Sequence, residues 1–160
     1  MEHSGVDMRY MDPTTNEKFV PHVIEPTFGL GRTVLAVIAK AYTEDEMNGE
    51  TRIYLKLPPH LAPYRAAVSP LLKNKPELVE KAREVFLMLK REFGNIAWDD
   101  NGNVGKRYRR QDEIGTPSCI VVDFDTLGQE KPELKDTVTV RNRDTGEQVR
   151  VAINELANII

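Results

Sequence analysis

The pattern that most limits the fold lies in residues 58–160, where short apolar runs alternate with amphipathic stretches. Runs rich in β-branched residues predict strands, and apolar residues at helical spacing predict helices. The predicted order is β-α-β-α-β-β-β-α. This order favours an α/β fold with a mixed sheet of about five strands and helices on its faces. The predicted strands are 65–69, 95–98, 118–123, 137–142 and 148–152, and the predicted helices are 76–92, 105–114 and a short last one, capped by Asn154, that runs to Ile160.

A proline-rich connector, Pro58, Pro59 and Pro63, precedes this pattern and is the best candidate for a domain boundary. We therefore expect two domains, residues 1–57 and 58–160. The first is predicted to contain a strand at 18–25, a helix at 28–42, a turn at Asn48-Gly49 and a strand at 52–57. The predicted helix carries an apolar stripe that needs a partner surface, formed by Leu30, Val34, Leu35, Val37 and Ile38.

Charge and composition exclude several classes of protein. Residues 1–57 hold 6 basic and 9 acidic residues and residues 58–160 hold 16 of each, so neither part binds nucleic acid through a bulk positive charge. No apolar run reaches the roughly 18 residues that span a bilayer, and residues 1–10 do not resemble a secretory signal. The single cysteine, Cys119, lies in an apolar run and is predicted to be buried. A reduced, cytoplasmic compartment fits these features.

A glycine-rich segment joins the first predicted strand to the helix after it, with the sequence EPTFGLGRT at 25–33. Glycines let a ligand approach the backbone closely, and the first turn of a helix favours an anion. Arg32 offers a flat guanidinium for an aromatic base or a phosphate, and Glu25 offers a carboxylate for an ammonium group. A glycine-rich turn with an outward arginine and no bound ligand accounts for the same sequence pattern, and this alternative stays open at this point.

A basic segment, GKRYRRQDE at 105–113, lies on the second predicted helix of residues 58–160. Lys106, Arg109 and Arg110 share one side at i, i+3, i+4 spacing, while Arg107 points elsewhere. Arginine and lysine bind phosphates, and Tyr108 offers a ring on which an unpaired base can stack. A solvated basic helix, paired with the acidic residues that follow, is the alternative. The three histidines are too scattered to predict a metal site.

Two long stretches resemble the glycyl form of class II aminoacyl-tRNA synthetases. EKFVPHVIEPTFGLGRTVLA at 17–36 resembles motif 3 of that family, and GKRYRRQDEIGTPSCIVVDFDT at 105–126 resembles its class IIa anticodon-binding domain. TVTVRNRDTGEQVRVAINELANII at 137–160 is similar to the terminal hairpin and helix of that domain. The resemblance covers nearly the whole chain in order. It implies that residues 1–57 are a strand–helix remnant of the catalytic domain.

The resemblance also implies roles for particular residues. Arg32 stacks on the adenine of ATP, and Glu25 holds the ammonium group of glycine. Thr27 stands where the family has a serine, which adds a methyl group to a pocket for the smallest amino acid. The implied ATP-binding residues are Gly29, Leu30, Gly31 and Arg32, and the implied glycine-binding residues are Glu25, Thr27 and Gly29. The implied contacts with the anticodon stem-loop of tRNA-Gly are Lys106, Arg107, Tyr108, Arg109, Arg110, Gln111, Asp112 and Glu113.

For the full-length enzyme the resemblance implies ATP as a substrate, with Mg, and a homodimer. Motif 2, whose arginine holds the α-phosphate, does not occur in these 160 residues, so we expect no aminoacylation by them alone. An alternative is a free-standing anticodon-binding-like module, or an accessory subunit without ligase activity, which has no need of Glu25 and Arg32. A further alternative is a small α/β domain that binds another ligand. It does not explain why the resemblance runs in order along nearly the whole chain.

Overall fold

The computed structural model describes residue 3 and residues 5–47, 49–129 and 131–160. These residues divide into two compact units, 1–33 and 34–160. None of the described helices is long and apolar enough to cross a membrane.

The strands are β1 (Tyr10–Met11), β2 (Lys18–Phe19), β3 (Tyr42–Met47), β4 (Glu50–Leu55), β5 (Ala66–Pro70), β6 (Ile96–Trp98), β7 (Ser118–Val122), β8 (Thr137–Asn142) and β9 (Gln148–Ala152). The helices are α1 (Leu30–Ala41), α2 (Pro76–Phe93), α3 (Val104–Glu113) and α4 (Phe124–Leu127), with 3-10 turns at Pro59–Leu61, Pro132–Leu134 and Ile153–Asn158.

The first unit contains one short antiparallel pair, β1 with β2, in which Tyr10 lies opposite Phe19. The strand predicted at 18–25 is wrong beyond Phe19, because the residues after it have no regular structure. Pro21 and Pro26 remove two backbone donors from this segment, and a strand without a ladder is not stable. The predicted turn at Asn48-Gly49 is described only at Gly49, since Asn48 lies outside the described residues.

The five-stranded sheet of the second unit has the order β6-β5-β7-β8-β9. Strand β5 is parallel to both β6 and β7, whereas β7, β8 and β9 run antiparallel to their neighbours. The prediction of a mixed five-stranded sheet with helices is therefore confirmed. The chain leaves β5 toward β6 on one side and later returns to β7 on the other, so the order of the parallel strands reverses beside β5.

Alternating side chains along β5 place helices α2 and α3 on opposite faces of the sheet. Ala66 and Val68 face the larger core, where the apolar stripe of α2 packs. Ala67 faces the other way and packs with Ala97, Cys119 and the α3 residue Tyr108. Cys119 is buried, as predicted, and burial raises the pKa of its thiol to about 12.

Three local predictions need correction. The helix predicted to Tyr42 ends at Ala41, and residues 42–47 form strand β3, paired with β4 from Tyr42–Leu55 to Met47–Glu50. The last turn begins at Ile153, with Ala152 and not Asn154 at the cap position and no side-chain cap. Helix α4 was not predicted; it begins at Phe124 and is capped by Asp123, whose carboxylate accepts a hydrogen bond from the Thr126 amide at 3.0 Å.

Candidate nucleic-acid interface

Helix α3 starts at a side-chain cap and ends at a glycine. The Asn103 side chain accepts a hydrogen bond from the Lys106 amide at 2.9 Å, which satisfies one free donor of the first turn. After the helix, Gly115 has a φ of +85°, and a Cβ atom there would lie 2.8 Å from Leu57 Cδ1. Only glycine combines this backbone conformation with so close a contact. The cap and the glycine fix where α3 lies on the sheet.

The inner side of α3 is polar. Arg107 is 3% exposed, and its guanidinium donates to the carbonyl oxygens of Pro70, Asp100 and Gly102. Among the described residues, its Nε atom is the one buried side-chain nitrogen or oxygen without a hydrogen-bond partner. Burial lowers the pKa of Arg107. Arg107 therefore ties the start of α3 to the ends of β5 and β6 and does not face solvent.

Asp112 lies at the centre of a buried ion cluster. Its carboxylate accepts hydrogen bonds from Arg141 at 2.8 and 2.9 Å and from Arg52 Nη1 at 3.1 Å. Asp112 is 1% exposed, and both arginines are buried. Arg52 also binds Asp45, and this bond is the main cause that raises the pKa of Arg52. The cluster joins the β3–β4 hairpin to α3 and β8.

The outer side of α3 carries the exposed charge. Lys106 and Arg109 are exposed, and Arg109 Nε lies 3.6 Å from a Glu113 carboxylate oxygen. Arg110 is half-exposed, and its guanidinium binds the Asp99 carboxylate through bonds of 2.7, 2.9 and 3.1 Å. Burial raises the pKa of Asp99, but the bond and charge of Arg110 together with hydrogen bonds from the Asn101 amide and Gln111 outweigh burial and hold that pKa below its usual range.

The eight residues predicted to contact RNA therefore separate into two groups. Lys106, Arg109 and Glu113 are exposed, and Arg110 and Tyr108 are half-buried. The other three, Arg107, Gln111 and Asp112, are buried and form hydrogen bonds within the domain, so they face no partner in this conformation. The helical spacing correctly separates Arg107 from the other basic residues. It does not reveal that Gln111 and Asp112 also turn inward. The partners of Asp112, Arg52 and Arg141, are 60 and 29 positions away, whereas Gln111 accepts a hydrogen bond from Thr116 just beyond the helix.

Tyr108 and Arg141 form a further polar and aromatic contact beside α3. The Arg141 guanidinium carbon lies 4.8 Å from the centre of the Tyr108 ring. Burial raises the pKa of Tyr108 to about 12, so its hydroxyl remains protonated at neutral pH. Sequence reasoning did not identify Arg141 or Arg52. Side chains alternate along β8, so Arg141 lies on the face opposite Val138 and Val140. This alternation is the one local pattern that predicts that Arg141 faces α3 and not the larger core.

The predicted ATP and glycine residues lie in and next to the first turn of α1. All of the residues from Glu25 to Arg32 are exposed. The Thr33 amide and hydroxyl both donate to the Gly29 carbonyl, at 3.0 and 3.2 Å, which closes the first turn of α1. Among the described residues, no group of three or more His, Cys, Asp or Glu side chains is arranged to hold a metal ion.

Comparison with known proteins gives a consistent result. The family model described as an anticodon binding domain matches residues 65–160. A glycine–tRNA ligase of Thermus thermophilus is 51% identical over 164 residues, which is 99% of this chain and 32% of that protein. A glycine–tRNA ligase of Clostridium acetobutylicum is 54% identical over 157 residues, again 32% of that protein and 98% of this chain. The chain spans about a third of the length of the curated relatives it matches.

Proposed function

Since this chain belongs to the family of anticodon binding domains, we propose that its five-stranded unit binds the anticodon stem-loop of tRNA-Gly. The family match covers 65–160, a range that includes the whole five-stranded sheet and α3. The glycine–tRNA ligases that align with 98–99% of the chain support tRNA-Gly as the partner. The observation that carries the proposal is the separation of charge on α3, where Lys106 and Arg109 are exposed while Arg107 is buried.

Phosphate contacts come from the outer side of α3. Lys106 and Arg109 are one turn apart and exposed, so both reach the backbone of an RNA loop. Arg110 joins them with part of its guanidinium, since Asp99 occupies the rest. Glu113 sets the direction of Arg109 through their ion pair. Arg107, Gln111 and Asp112 serve as the framework that fixes this side of the helix.

We also propose that residues 1–57 supply motif 3 of the catalytic domain and that residues 58–160 form the anticodon-binding domain. Arg32 then stacks on the adenine of ATP, and Glu25 binds the ammonium group of glycine next to Thr27. Arg32 and Glu25 are exposed, which supports this role, since a ligand has access to both side chains. The ion pair between Arg52 and Asp112 supports a join at which the β3–β4 hairpin rests against α3.

In the full-length enzyme these residues take part in the ATP-dependent formation of glycyl-tRNA, in the cytoplasm and as a homodimer. Residues 1–160 alone do not catalyse that reaction, because they lack the motif 2 arginine that holds the α-phosphate. Positioning and charge stabilisation are most of the catalysis in such a transfer. An assay of the 160-residue chain with glycine, ATP, Mg and tRNA-Gly is expected to yield no glycyl-tRNA, and steady product formation would contradict this part of the proposal.

Binding of the anticodon stem-loop of tRNA-Gly across a salt series tests the proposal. Each phosphate contact contributes a log–log slope of about -0.7 with single-stranded RNA. The double variant Lys106→Ala/Arg109→Ala should bind more weakly and flatten the slope by about 1.4. The matched control, Lys40→Ala/Arg91→Ala, removes two exposed charges from α1 and α2 and should leave the slope unchanged. Equal slopes in both double variants would mean that α3 is only a solvated basic helix.

A further inference from the structure

A crevice lies at the end of the five-stranded sheet opposite to the turn from which α3 starts. It has a volume of about 400 Å³ and opens between the connector that precedes β5 and the starts of β5 and β7. The turn between β8 and β9 and residues 159–160 complete its walls. We call it the connector crevice. Its volume is in the range of pockets that bind small ligands.

Apolar side chains form much of the wall of the connector crevice. Leu57, which is buried, lines it from the connector together with Pro58 and Pro59. Pro117 lines it just before β7, and Ile159, which is 49% exposed, lines it from the other side. None of these side chains donates or accepts a hydrogen bond. They therefore favour the apolar body of a ligand, which is removed from water when it binds.

Two cations at the connector crevice have no acidic partner. Lys56 and Arg65 line it and are exposed. In the described part of the chain, neither side chain forms an ion pair or a hydrogen bond. The Arg65 guanidinium carbon lies 4.6 Å from the centre of the Phe93 ring, so the ring covers one flat face and the N–H edge remains for a ligand. Such an edge binds a carboxylate through two parallel hydrogen bonds, and a lysine adds a point charge.

The acidic groups at the connector crevice do not neutralise these cations. The Asp144 carboxylate accepts a hydrogen bond from Arg143 Nε at 2.8 Å, and Arg143 is itself buried. Among the described residues, the carboxylate of Ile160 forms no ion pair. The Asn142 side-chain oxygen accepts hydrogen bonds from two backbone amides of the following turn, so its amide nitrogen remains as a donor. The free polar groups are thus mainly donors and cations, which select an anion.

From these groups we infer that the connector crevice binds a small amphipathic anion, a carboxylate that carries an apolar ring. The carboxylate lies between Lys56 and Arg65, and the ring lies against the proline and isoleucine side chains. This site does not involve the outer side of α3 and does not depend on the proposed binding of RNA. Residues 56–59 belong to the connector between the two predicted domains. A bound anion therefore ties that connector to the five-stranded unit.

Titration of the full 160-residue chain with three probes tests the inference. The probes are 2-naphthoate, its neutral analogue 2-naphthamide and inorganic phosphate, each followed through the chemical shifts of the backbone amides. 2-Naphthoate should bind at least about 10-fold more tightly than the other two, because it alone uses both the cations and the apolar walls. The largest shifts should fall on the amides of residues 56, 57, 118 and 142–144.

Variants separate the contribution of charge from that of the apolar walls. Lys56→Ala/Arg65→Ala should bind 2-naphthoate no better than 2-naphthamide, a loss of about 10-fold or more. Ile159→Ser should weaken both naphthalene probes by a similar factor. The matched control, Lys40→Ala/Arg91→Ala, removes two exposed charges from α1 and α2 and should bind all three probes as the wild type does. Thermal unfolding shows whether each variant keeps the fold.

Three outcomes overturn the inference. The wild type binds 2-naphthoate no more tightly than phosphate or 2-naphthamide, the amide shifts fall outside the connector crevice, or the folded Lys56→Ala/Arg65→Ala variant binds 2-naphthoate as the wild type does. The proposed function stands in each case, because the contacts proposed for RNA do not include these residues. A failure of stem-loop binding likewise leaves this inference untouched.

Discussion

The carboxylate of Asp112 and the guanidinium of Arg141 form a two-point pair, with Nη1 to Oδ1 at 2.8 Å and Nη2 to Oδ2 at 2.9 Å. Both side chains are buried, and Arg52 binds the same carboxylate from the β3–β4 hairpin. One acidic residue of α3 thus holds two arginines from separate parts of the chain. The helix whose outer side carries the exposed charge is anchored by charge on its inner side.

The first prediction follows from this anchor. Asp112→Asn leaves the buried Arg141 guanidinium without its counter-charge and removes one of the two carboxylates that bind Arg52. It should lower the free energy of unfolding by about 3–5 kcal/mol. The control is Glu113→Gln, the next residue, whose exposed side chain should contribute less than about 0.5 kcal/mol. Urea unfolding followed by circular dichroism measures both. An equal, small effect of the two variants would mean that the cluster adds nothing to stability.

A second prediction concerns the glycines that follow helices α2 and α3. Gly94 and Gly115 have φ values of +77° and +85°. A Cβ at Gly94 would meet nothing within 4 Å, whereas one at Gly115 would lie 2.8 Å from Leu57 Cδ1 and 3.0 Å from the Leu55 carbonyl oxygen. Gly94→Ala should therefore cost only the backbone strain, about 1–2 kcal/mol.

Gly115→Ala should cost the same strain plus about 1–3 kcal/mol for overpacking against Leu57. Thermal unfolding of the two alanine variants under one set of conditions separates the two contributions. The expected order of the melting temperature is wild type, Gly94→Ala and then Gly115→Ala. A Gly115→Ala variant as stable as Gly94→Ala would show that the chain at Leu57 moves aside without a loss of stability.

A third prediction concerns acid stability at the start of α4. Burial raises the pKa of Asp123, but hydrogen bonds from Arg150 and the Thr126 amide outweigh it and hold that pKa below its usual range. The pKa of this carboxyl group is lower in the folded chain than in the unfolded chain. The carboxylate therefore stabilises the fold at pH values above its unfolded pKa of about 4, and this stabilisation is lost as the pH falls further. Asp123→Asn should therefore reduce stability at pH 7 and flatten its decline between pH 5 and about 3.

Urea unfolding at several pH values measures this decline. The control is Asp144→Asn, whose carboxylate pairs with Arg143 and is more exposed than that of Asp123. The control variant should keep the wild-type decline. If Asp123→Asn and the wild type lose stability in parallel below pH 5, the pair of Asp123 and Arg150 does not set the acid response.

The sequence predicts the hairpin of β8 and β9 with its bounds, because alternating β-branched residues flank a turn at Asp144-Thr145-Gly146. Strand β3 was missed, since its acidic residues disfavour strands and its partner strand is what stabilises it. The inward side of α3 was only partly predicted. Asp112 pairs with Arg52 across 60 positions, and no local pattern encodes a contact at that distance.

The last prediction separates two neighbouring arginines of α3. The Arg110 guanidinium makes three contacts of 2.7–3.1 Å with the Asp99 carboxylate and one of 2.6 Å with the Asn101 carbonyl, so it stabilises the turn between β6 and α3. Within the part of the chain that the structure describes, Arg109 has only the 3.6 Å pair with Glu113, and 64% of its side chain is exposed.

Arg110→Ala should therefore lower the free energy of unfolding by about 1 kcal/mol, a value near the top of the range for partly exposed ion pairs. Arg109→Ala should change stability by less than about 0.5 kcal/mol but flatten the salt slope of stem-loop binding by about 0.7, the loss of one phosphate contact. Urea unfolding and a salt series on the same two variants measure both quantities. If Arg109→Ala destabilises the fold more than Arg110→Ala, or leaves the salt slope as it was, then the exposed side of α3 is not where the RNA backbone lies.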